Sequence, residues 1–224
     1  MGEMIRFPKA GAAGETAGYL AIASNPKGAV VVLQEWWGLN EQIKTTCDRF
    51  ADEGFTALAP DLYQGRVTQD ADEASHMMDG LDWGGAAHED ARGAVKYLKS
   101  ETGQKTAVMG FCMGGALTII GAVHIPECDA AVCYYGIPPA DVADPAKIAV
   151  PFQGHFASED DWCTPEAVAA LKKAMAGLET PVEIHSYDGK QHGFFNNTVA
   201  AYDEEAAEES WTRTVAFLNT HLKD

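Results

Sequence analysis

The sequence lacks the features by which proteins commonly span membranes or bind metals. No apolar run is long enough to cross a bilayer, and the first residues have no signal-peptide core. None of the seven histidines belongs to a His-Glu-x-x-His motif, and no two of the five cysteines form a Cys-x-x-Cys pair. We therefore expect no metal, no other cofactor and no membrane association. The odd number of cysteines favours reduced thiols in a cytoplasmic protein over a disulfide framework.

Basic residues are also scarce. The chain has 16 lysines and arginines against 33 acidic residues, which gives a formal charge of −17. A surface of that sign repels phosphate backbones, so we expect no nucleic-acid partner. No linker, repeat or low-complexity segment divides the 224 residues. This predicts a single domain over residues 1–224, as a monomer or a small homo-oligomer.

What the sequence does contain is an alternation of short apolar runs and helical stripes. Residues 28–33 form a valine-rich run without a polar break, which is typical of a strand buried on both faces. Further strands are predicted at 16–23, 55–60, 106–111, 130–135, 150–156 and 182–187. Helices are predicted at 40–54, 70–79, 87–98, 113–120, 164–178 and 203–222. The alternation predicts an α/β fold with a mostly parallel, doubly wound sheet flanked by helices.

The segment Gly110-Phe111-Cys112-Met113-Gly114-Gly115 joins a predicted strand directly to a predicted helix. Such a segment has the form of a nucleophile elbow, a tight turn that lifts one side chain clear of the backbone. The helix N-terminus favours a thiolate at Cys112 and offers a free N–H group to a developing oxyanion. A buried structural cysteine and a phosphate-binding turn are the competing interpretations, although no P-loop lysine follows.

Two further strand ends carry the groups that a thiol nucleophile needs. Asp160 and Asp161 follow the strand predicted at 150–156, and His192 follows the strand predicted at 182–187. A histidine can take the thiol proton, and a carboxylate can fix the tautomer of that histidine. Each group alone could be structural. Together they keep the order nucleophile, acid, histidine of α/β-hydrolases, and such residues meet beyond the carboxyl ends of parallel strands.

Six motifs resemble those of the dienelactone hydrolases, also called carboxymethylenebutenolidases, in order along the chain. They are Gln34-Glu35-Trp36-Trp37-Gly38, Ala59-Pro60-Asp61-Leu62-Tyr63, Gly110-Phe111-Cys112-Met113-Gly114-Gly115, Tyr134-Tyr135-Gly136, Asp160-Asp161-Trp162 and His192-Gly193-Phe194. The cysteine elbow combined with the upstream Gln-Glu is specific, whereas the acid and histidine motifs occur in many α/β-hydrolases. The resemblance implies an α/β-hydrolase fold from about residue 16 to the C-terminus.

The resemblance also implies roles for individual residues. Cys112, His192 and Asp160 would form a catalytic triad. Glu35 would hold the resting nucleophile as a neutral thiol until substrate binds and the thiol turns toward the histidine. A nearby carboxylate disfavours a thiolate, and a neutral thiol is less exposed to oxidation.

Two further assignments come from the same resemblance. The acid is placed at Asp160 rather than Asp161 because Cys163 then occupies the valine position of a family Asp-x-x-Val-Pro pattern, although the proline falls one residue late. The backbone N–H groups of Met113 and Trp36 would form the oxyanion hole.

The substrate is less closely defined by the resemblance. Family members that act on a free-acid lactone bind its carboxylate with two arginines. Here Asn196 occupies one of these positions, and the other arginine is displaced to Arg66. The predicted pocket residues are Tyr63, Arg66, Trp83, Tyr135, Phe194 and Asn196. The aromatic ones could equally belong to the core, and a neutral ester or lactone fits as well as dienelactone itself.

The sequence therefore predicts a cofactor-free hydrolase that cleaves a small lactone or activated carboxylic ester through a thioacyl-enzyme. An alternative is a protein on the same scaffold that binds a small molecule or senses redox state without turnover, with Cys112 as its sensor thiol. A third interpretation is a hydrolase that acts on a quite different bond.

Overall fold

The structure, a computed structural model, describes residues 1–223 and contains one eight-stranded sheet. Its strands are β1 Glu3–Pro8, β2 Glu15–Ala21, β3 Ala29–Leu33, β4 Thr56–Pro60, β5 Thr106–Phe111, β6 Ala130–Tyr134, β7 Phe152–Glu159 and β8 Val182–Gln191. The α-helices are α1 Glu41–Asp52, α2 Ala71–Asp79, α3 Trp83–Gly85, α4 Arg92–Thr102, α5 Met113–His124, α6 Pro165–Met175 and α7 Glu204–His221. A π-helical stretch, Ala86–Ala91, joins α3 to α4, and Pro145–Lys147 forms a 3₁₀ turn.

The strand order is β1-β2-β4-β3-β5-β6-β7-β8. The hairpin β1–β2 and the pair β2–β4 are antiparallel, and all other pairs are parallel. The prediction of a mostly parallel α/β sheet is therefore confirmed. The chain passes from β3 to β4 on one side and then returns to β5 on the other. Ligands bind at such a switch point, beyond the carboxyl ends of the strands.

The central strands β3, β4, β5 and β6 are buried along their whole length. This explains their unbroken apolar runs, because helices cover both faces of the sheet. Polar side chains start the helices where the sequence predicts them. The Asn40 side chain accepts a hydrogen bond from the Ile43 N–H at 3.2 Å, and Thr164 caps α6, which has Pro165 at its first position.

Several elements differ from the sequence-based prediction. Helix α5 runs four residues further, to His124, and β7 runs three residues further, to Glu159. Strand β1 was not predicted, because Phe7 is its only buried residue and its apolar pattern is weak. Strand β8 continues through Gln191 rather than ending at residue 187. It is an edge strand, paired only with β7 across a register shift between Ala157 and Glu159, so polar residues are tolerated along it. The helical region predicted at 87–98 extends over 83–102.

No helix within residues 1–223 combines the length and apolar character needed to cross a membrane.

Candidate active site

Four strand ends bring the predicted site residues to one edge of the sheet. Strands β3 and β5 are direct neighbours, with Leu33 opposite Gly110, so Glu35 and Cys112 follow adjacent strand ends. His192 comes directly after β8. These three residues border one cavity of about 200 Å³. Residues 77 to 157 positions apart in sequence are thus placed together by the parallel sheet.

The turn at Cys112 is strained and tightly packed. Cys112 has φ 55° and ψ −115°, in the left-handed half of the backbone map that a residue with a side chain rarely adopts. Such a conformation persists only where the surroundings over-determine it. Here they do, because a Cβ atom at Gly114 would overlap the carbonyl oxygens of Leu33 and Gln34, and one at Gly110 would overlap Gly114. The two glycines allow β5 and α5 to approach closely enough to hold the elbow.

Asp160 is the acid that meets His192. Its Oδ2 lies 2.8 Å from Nδ1 of His192, and its Oδ1 accepts hydrogen bonds from the N–H groups of Trp162 at 2.7 Å and Cys163 at 2.9 Å. Burial alone would raise the pKa of Asp160, but His192 and the two N–H donors outweigh it and lower that pKa. Asp161, the other candidate, is exposed. The carboxylate is therefore ionised, and both of its oxygens accept hydrogen bonds.

The second ring nitrogen of His192 is left for the thiol. Nε2 is buried and has no hydrogen-bond partner among the described residues. Burial lowers the pKa of His192, but the hydrogen bond that Nδ1 donates to Asp160 and the interaction with Cys112 outweigh it and raise that pKa to about 10. The imidazole is thus fixed by Asp160 on one side and coupled electrostatically to Cys112 on the other. The raised pKa stabilises the charged imidazole that forms when a thiol proton moves to this ring.

Two backbone N–H groups face no acceptor within residues 1–223. The Met113 N–H begins α5 and, like all first-turn amides, has no partner inside its own helix. The Trp36 N–H, just beyond β3, makes no backbone or side-chain hydrogen bond. These are the two donors predicted for an oxyanion hole. The Met113 N–H lies just beyond β5 and the Trp36 N–H just beyond β3, the neighbouring strand.

Glu35 is buried and paired, but not with the thiol. One carboxylate oxygen accepts a hydrogen bond from the Tyr135 hydroxyl at 3.1 Å, and the other accepts one from the Asn196 side-chain amide. Burial raises the pKa of Glu35, and the Asn196, His192 and Tyr135 contacts offset this only in part. No hydrogen bond joins Glu35 to Cys112 among the described residues, although both border the cavity.

The walls of the cavity are mainly apolar and were not all predicted. Trp36 packs edge-on against Trp37 and Trp162, with ring centroids 5.0 and 5.6 Å apart, and Val199 and Ala201 complete the lining. Trp162 is 58% exposed at the mouth of the cavity. Trp37 and Trp162 occur in the quoted motifs, but no pattern marked them as walls. Val199 and Ala201 lie in an irregular segment without any periodic signal.

Three predicted pocket residues lie to one side of this cavity. Tyr63 and Arg66 border a separate cleft of about 420 Å³. The Tyr63 hydroxyl contacts the sulfur of Met113 at 3.1 Å, and Arg66, largely exposed, pairs with Glu73 at 3.4 Å. Trp83 is half-buried against the core in α3. None of the three borders the cavity at Cys112.

The other three predicted pocket residues lie beneath the cavity. Tyr135 is fully buried, with its ring 4.9 Å from that of His192, and it holds Glu35. Phe194 is fully buried between Tyr135 and Tyr187. Asn196 is fully buried as well, and its side-chain oxygen accepts hydrogen bonds from Thr198. These residues support the site rather than line it.

The part of the chain that the structure describes contains no group of three or more His, Cys, Asp or Glu side chains placed to hold a metal ion.

Known proteins resemble this chain over nearly its whole length. The model of the dienelactone hydrolase family matches residues 16–222. Protein usf of Aquifex pyrophilus is 34% identical over 232 residues, covering 99% of this chain and 100% of that protein. A protein of Aquifex aeolicus (strain VF5), provisionally named a carboxymethylenebutenolidase, is 32% identical over 100% of both chains. A dienelactone hydrolase-like promiscuous phosphotriesterase from metagenomic libraries has the same fold, with a TM-score of 0.83 at 23% identity over 100% of this chain and 99% of that one.

Proposed function

The chain belongs to the dienelactone hydrolase family and is a hydrolase of carboxylic esters or lactones; within that class we propose a small, uncharged substrate and a thioacyl-enzyme formed on Cys112. The observation that carries the mechanism is the state of His192. One ring nitrogen is bound to Asp160 at 2.8 Å, and the other is buried and unpartnered in a residue that shares a cavity with Cys112. A general base for a thiol requires this arrangement.

In the first half of the reaction, Nε2 of His192 takes the proton of the Cys112 thiol. The sulfur attacks the substrate carbonyl, and the oxygen of the tetrahedral intermediate accepts hydrogen bonds from the Met113 and Trp36 N–H groups. Collapse breaks the bond to the ring or ester oxygen, which receives the proton from His192. A lactone yields an alcohol that stays attached to the acyl group, whereas an ester releases its alcohol.

In the second half, a water molecule gives a proton to Nε2 of His192 and attacks the thioester carbonyl. The second tetrahedral intermediate collapses with the sulfur of Cys112 as leaving group, and the proton on His192 returns to it. The products are a carboxylic acid and the free thiol. Asp160 keeps the imidazole in one orientation and stabilises its charged form in both halves.

The proposed absence of charge on the substrate follows from the lining of the cavity. Its titratable residues are Glu35, Cys112 and His192, and no lysine or arginine borders it. At the position where family members that act on a free-acid lactone use an arginine, Asn196 donates to Glu35 instead. A carboxylate on the substrate would therefore meet the buried Glu35 and no lysine or arginine among the described lining residues, while His192 is already paired with Asp160. The tryptophan walls favour an aromatic or alkyl acyl group.

We further propose that Glu35 controls the protonation of Cys112 before substrate binds. It borders the same cavity, and its carboxylate is held in place by Tyr135 and Asn196. A Glu35→Gln variant removes the negative charge at nearly constant volume. We expect Cys112 to be alkylated faster in this variant at pH 7, because a nearby carboxylate disfavours the thiolate. An unchanged alkylation rate together with an unchanged pH–rate profile would refute this role.

Pre-steady-state hydrolysis of a chromogenic ester tests the mechanism as a whole. We expect a burst of close to one equivalent followed by turnover, and an acyl group on Cys112 in the acid-quenched protein. Cys112→Ala and His192→Ala should lose both phases, while Cys128→Ser, at a buried thiol bonded to the Ala130 carbonyl, should keep them. Turnover by Cys112→Ala would exclude the thioacyl-enzyme. A burst without turnover would favour the binding or sensing alternative.

A further inference from the structure

A second and larger cavity adjoins the candidate active site. Trp37 and Val199 border both the cavity at Cys112 and this one, so the two spaces meet along a shared ridge. The second cavity has a volume of about 780 Å³. Its other walls come mainly from the first turn of α1 and the segment 61–69. We call it the outer groove.

The outer groove has both apolar and polar lining residues, and every charged side chain among those described is ion-paired or hydrogen-bonded. Lys44 and Glu41 form an ion pair with each other at 2.7 Å. The buried Asp61 carboxylate accepts hydrogen bonds from two backbone N–H groups of its own turn. The remaining polar side chains are neutral amides and hydroxyls: Asn40, Gln42, Thr68, Gln69 and Thr198. A lining of this kind can hydrogen-bond an uncharged ligand but offers no counter-charge to an ionic one.

One of these side chains has an unmet hydrogen-bonding group. The Oε1 atom of Gln42 is buried and has no partner within residues 1–223. An orphaned amide oxygen costs about 1–3 kcal/mol, so buried polar atoms are almost always paired. Gln42 borders the groove, and the terminal torsion of glutamine is soft, so its amide can rotate to meet a donor bound there. A hydroxyl donor bound there would satisfy it.

The volumes of the two cavities also favour a substrate that occupies both. The cavity at Cys112, at about 200 Å³, is smaller than the 300–1,000 Å³ or so of ordinary ligand pockets. It can hold a scissile carbonyl and a small acyl group. Any larger substrate must extend over the Trp37–Val199 ridge, and the half-buried indole of Trp37 offers an apolar wall there.

We propose that the outer groove is a second substrate subsite, which binds an uncharged, hydroxyl-bearing substituent such as a sugar or polyol while the carbonyl lies at Cys112. This inference rests on the proposed function. It deepens it by naming the class of ester: an aryl or alkyl ester whose leaving group carries a neutral polyhydroxylated moiety. The polar lining, the absence of unpaired charge and the unmet Gln42 acceptor all select for such a group.

Two esters with the same scissile bond test the inference: phenyl acetate and 4-(glucosyloxy)phenyl acetate. We expect the wild-type kcat/KM to be at least about tenfold higher for the glucosylated ester, since one added hydrogen bond of about 1.4 kcal/mol gives that factor. Gln42→Leu should reduce this preference about tenfold and leave phenyl acetate hydrolysis within about twofold. Gln69→Trp, which fills the groove, should lower only the activity on the glucosylated ester.

Gln104→Leu is the matched control, because Gln104 does not border the groove. It should keep the preference. Melting temperatures of all variants separate a lost contact from a damaged fold, and Gln69→Trp decides the matter should Gln42→Leu unfold. Equal kcat/KM for the two esters in the wild type, unaffected by either groove variant, would overturn the subsite while leaving the hydrolase intact. Failure to hydrolyse either ester would overturn the proposed function and this inference with it.

Discussion

Replacing Asp160 by asparagine should remove most of the activity without unfolding the protein. The reason lies in how the carboxylate is held. Its Oδ1 accepts hydrogen bonds from the N–H groups of Trp162 and Cys163, and only Oδ2 faces Nδ1 of His192. An asparagine keeps its oxygen where the two N–H donors point, so its NH₂ group faces Nδ1. That nitrogen must then accept a hydrogen bond, and the imidazole proton moves to Nε2, on the side of Cys112.

An imidazole that carries its proton on Nε2 cannot take the thiol proton. In serine protease triads the same change from acid to amide costs about 10⁴ in kcat through this tautomer error. We expect a loss of about 10³- to 10⁴-fold here, which is about 4–5.5 kcal/mol of activation free energy. The free energy of unfolding should fall by only about 1–2 kcal/mol. Both backbone hydrogen bonds remain, and a neutral hydrogen bond replaces a charge-assisted one.

The measurement is kcat/KM for a chromogenic ester, with chemical denaturation of each variant in parallel. Asp161→Asn is the control, because Asp161 is exposed and takes no part in the contacts of His192. It should behave like the wild type. A folded Asp160→Asn variant that keeps more than a tenth of the activity would refute the tautomer argument. An equal loss in Asp161→Asn would mean that the acid is wrongly assigned.

Three further predictions concern stability and thiol chemistry. Asn196→Ala removes a donor from the buried Glu35 and should raise the pKa of that acid further. Since a raised acid pKa costs stability once pH exceeds the unfolded value, a loss of about 1–3 kcal/mol should appear in denaturation at pH 8 and shrink toward pH 4. The lost hydrogen bonds from Thr198 add a part that does not change with pH, so a total loss without any pH dependence would contradict the prediction. Gly114→Ala should lower the free energy of unfolding by about 1–3 kcal/mol or prevent folding. Gly177→Ala is the control: it has open space around it and should change that free energy by less than about 0.5 kcal/mol. Equal melting curves for the two variants would refute the close packing of the elbow. Brief alkylation of the native protein should label Cys112 alone, because burial raises the pKa of the other four thiols. Peptide masses that show a second labelled cysteine would contradict this.

The central sheet could be predicted closely because burial on both faces leaves a plain signal. The unbroken apolar runs of β3 and β5 correspond to strands that are buried throughout, and their predicted ends agree with the structure to within one residue. The edge strands give a weaker signal, since one side of each is unpaired and exposed. Strand β1 therefore went unpredicted, and β8 was cut four residues short.

The contact between Asp160 and His192 was predictable for a related reason. A residue directly after a parallel strand has its position set by the sheet, so Asp160 and His192 could be expected to meet before any coordinates were known. The walls of the cavity have no such constraint. Trp162 contributes through the turn that wraps around Asp160, and Val199 and Ala201 through an irregular segment before α7. Their positions depend on long-range packing, which leaves no local pattern.

The aromatic residues show why composition alone misleads at such a site. Tyr135 and Phe194 occur in motifs beside the catalytic candidates, yet both are fully buried and act from below. Tyr135 has a positive φ of 35°, a conformation that persists only when its surroundings enforce it. The contacts that hold Tyr135 are the hydrogen bond from its hydroxyl to Glu35 and the packing of its ring against His192. An aromatic residue at a strand end is therefore a candidate support for the site as much as a candidate wall.

The pairing of Glu35 with Asn196 has a consequence for substrate choice that follows from charge alone. An arginine at position 196 would bring a positive charge to the buried acid, whereas the asparagine amide brings only a hydrogen bond. A substrate carboxylate placed about 6 Å from an ionised Glu35 would be repelled by about 3 kcal/mol at an effective dielectric constant near 20. This repulsion corresponds to a factor of about 100 in binding. We therefore expect acidic lactones to bind about 100-fold more weakly than neutral ones of the same shape, with the apolar walls selecting among the neutral ones.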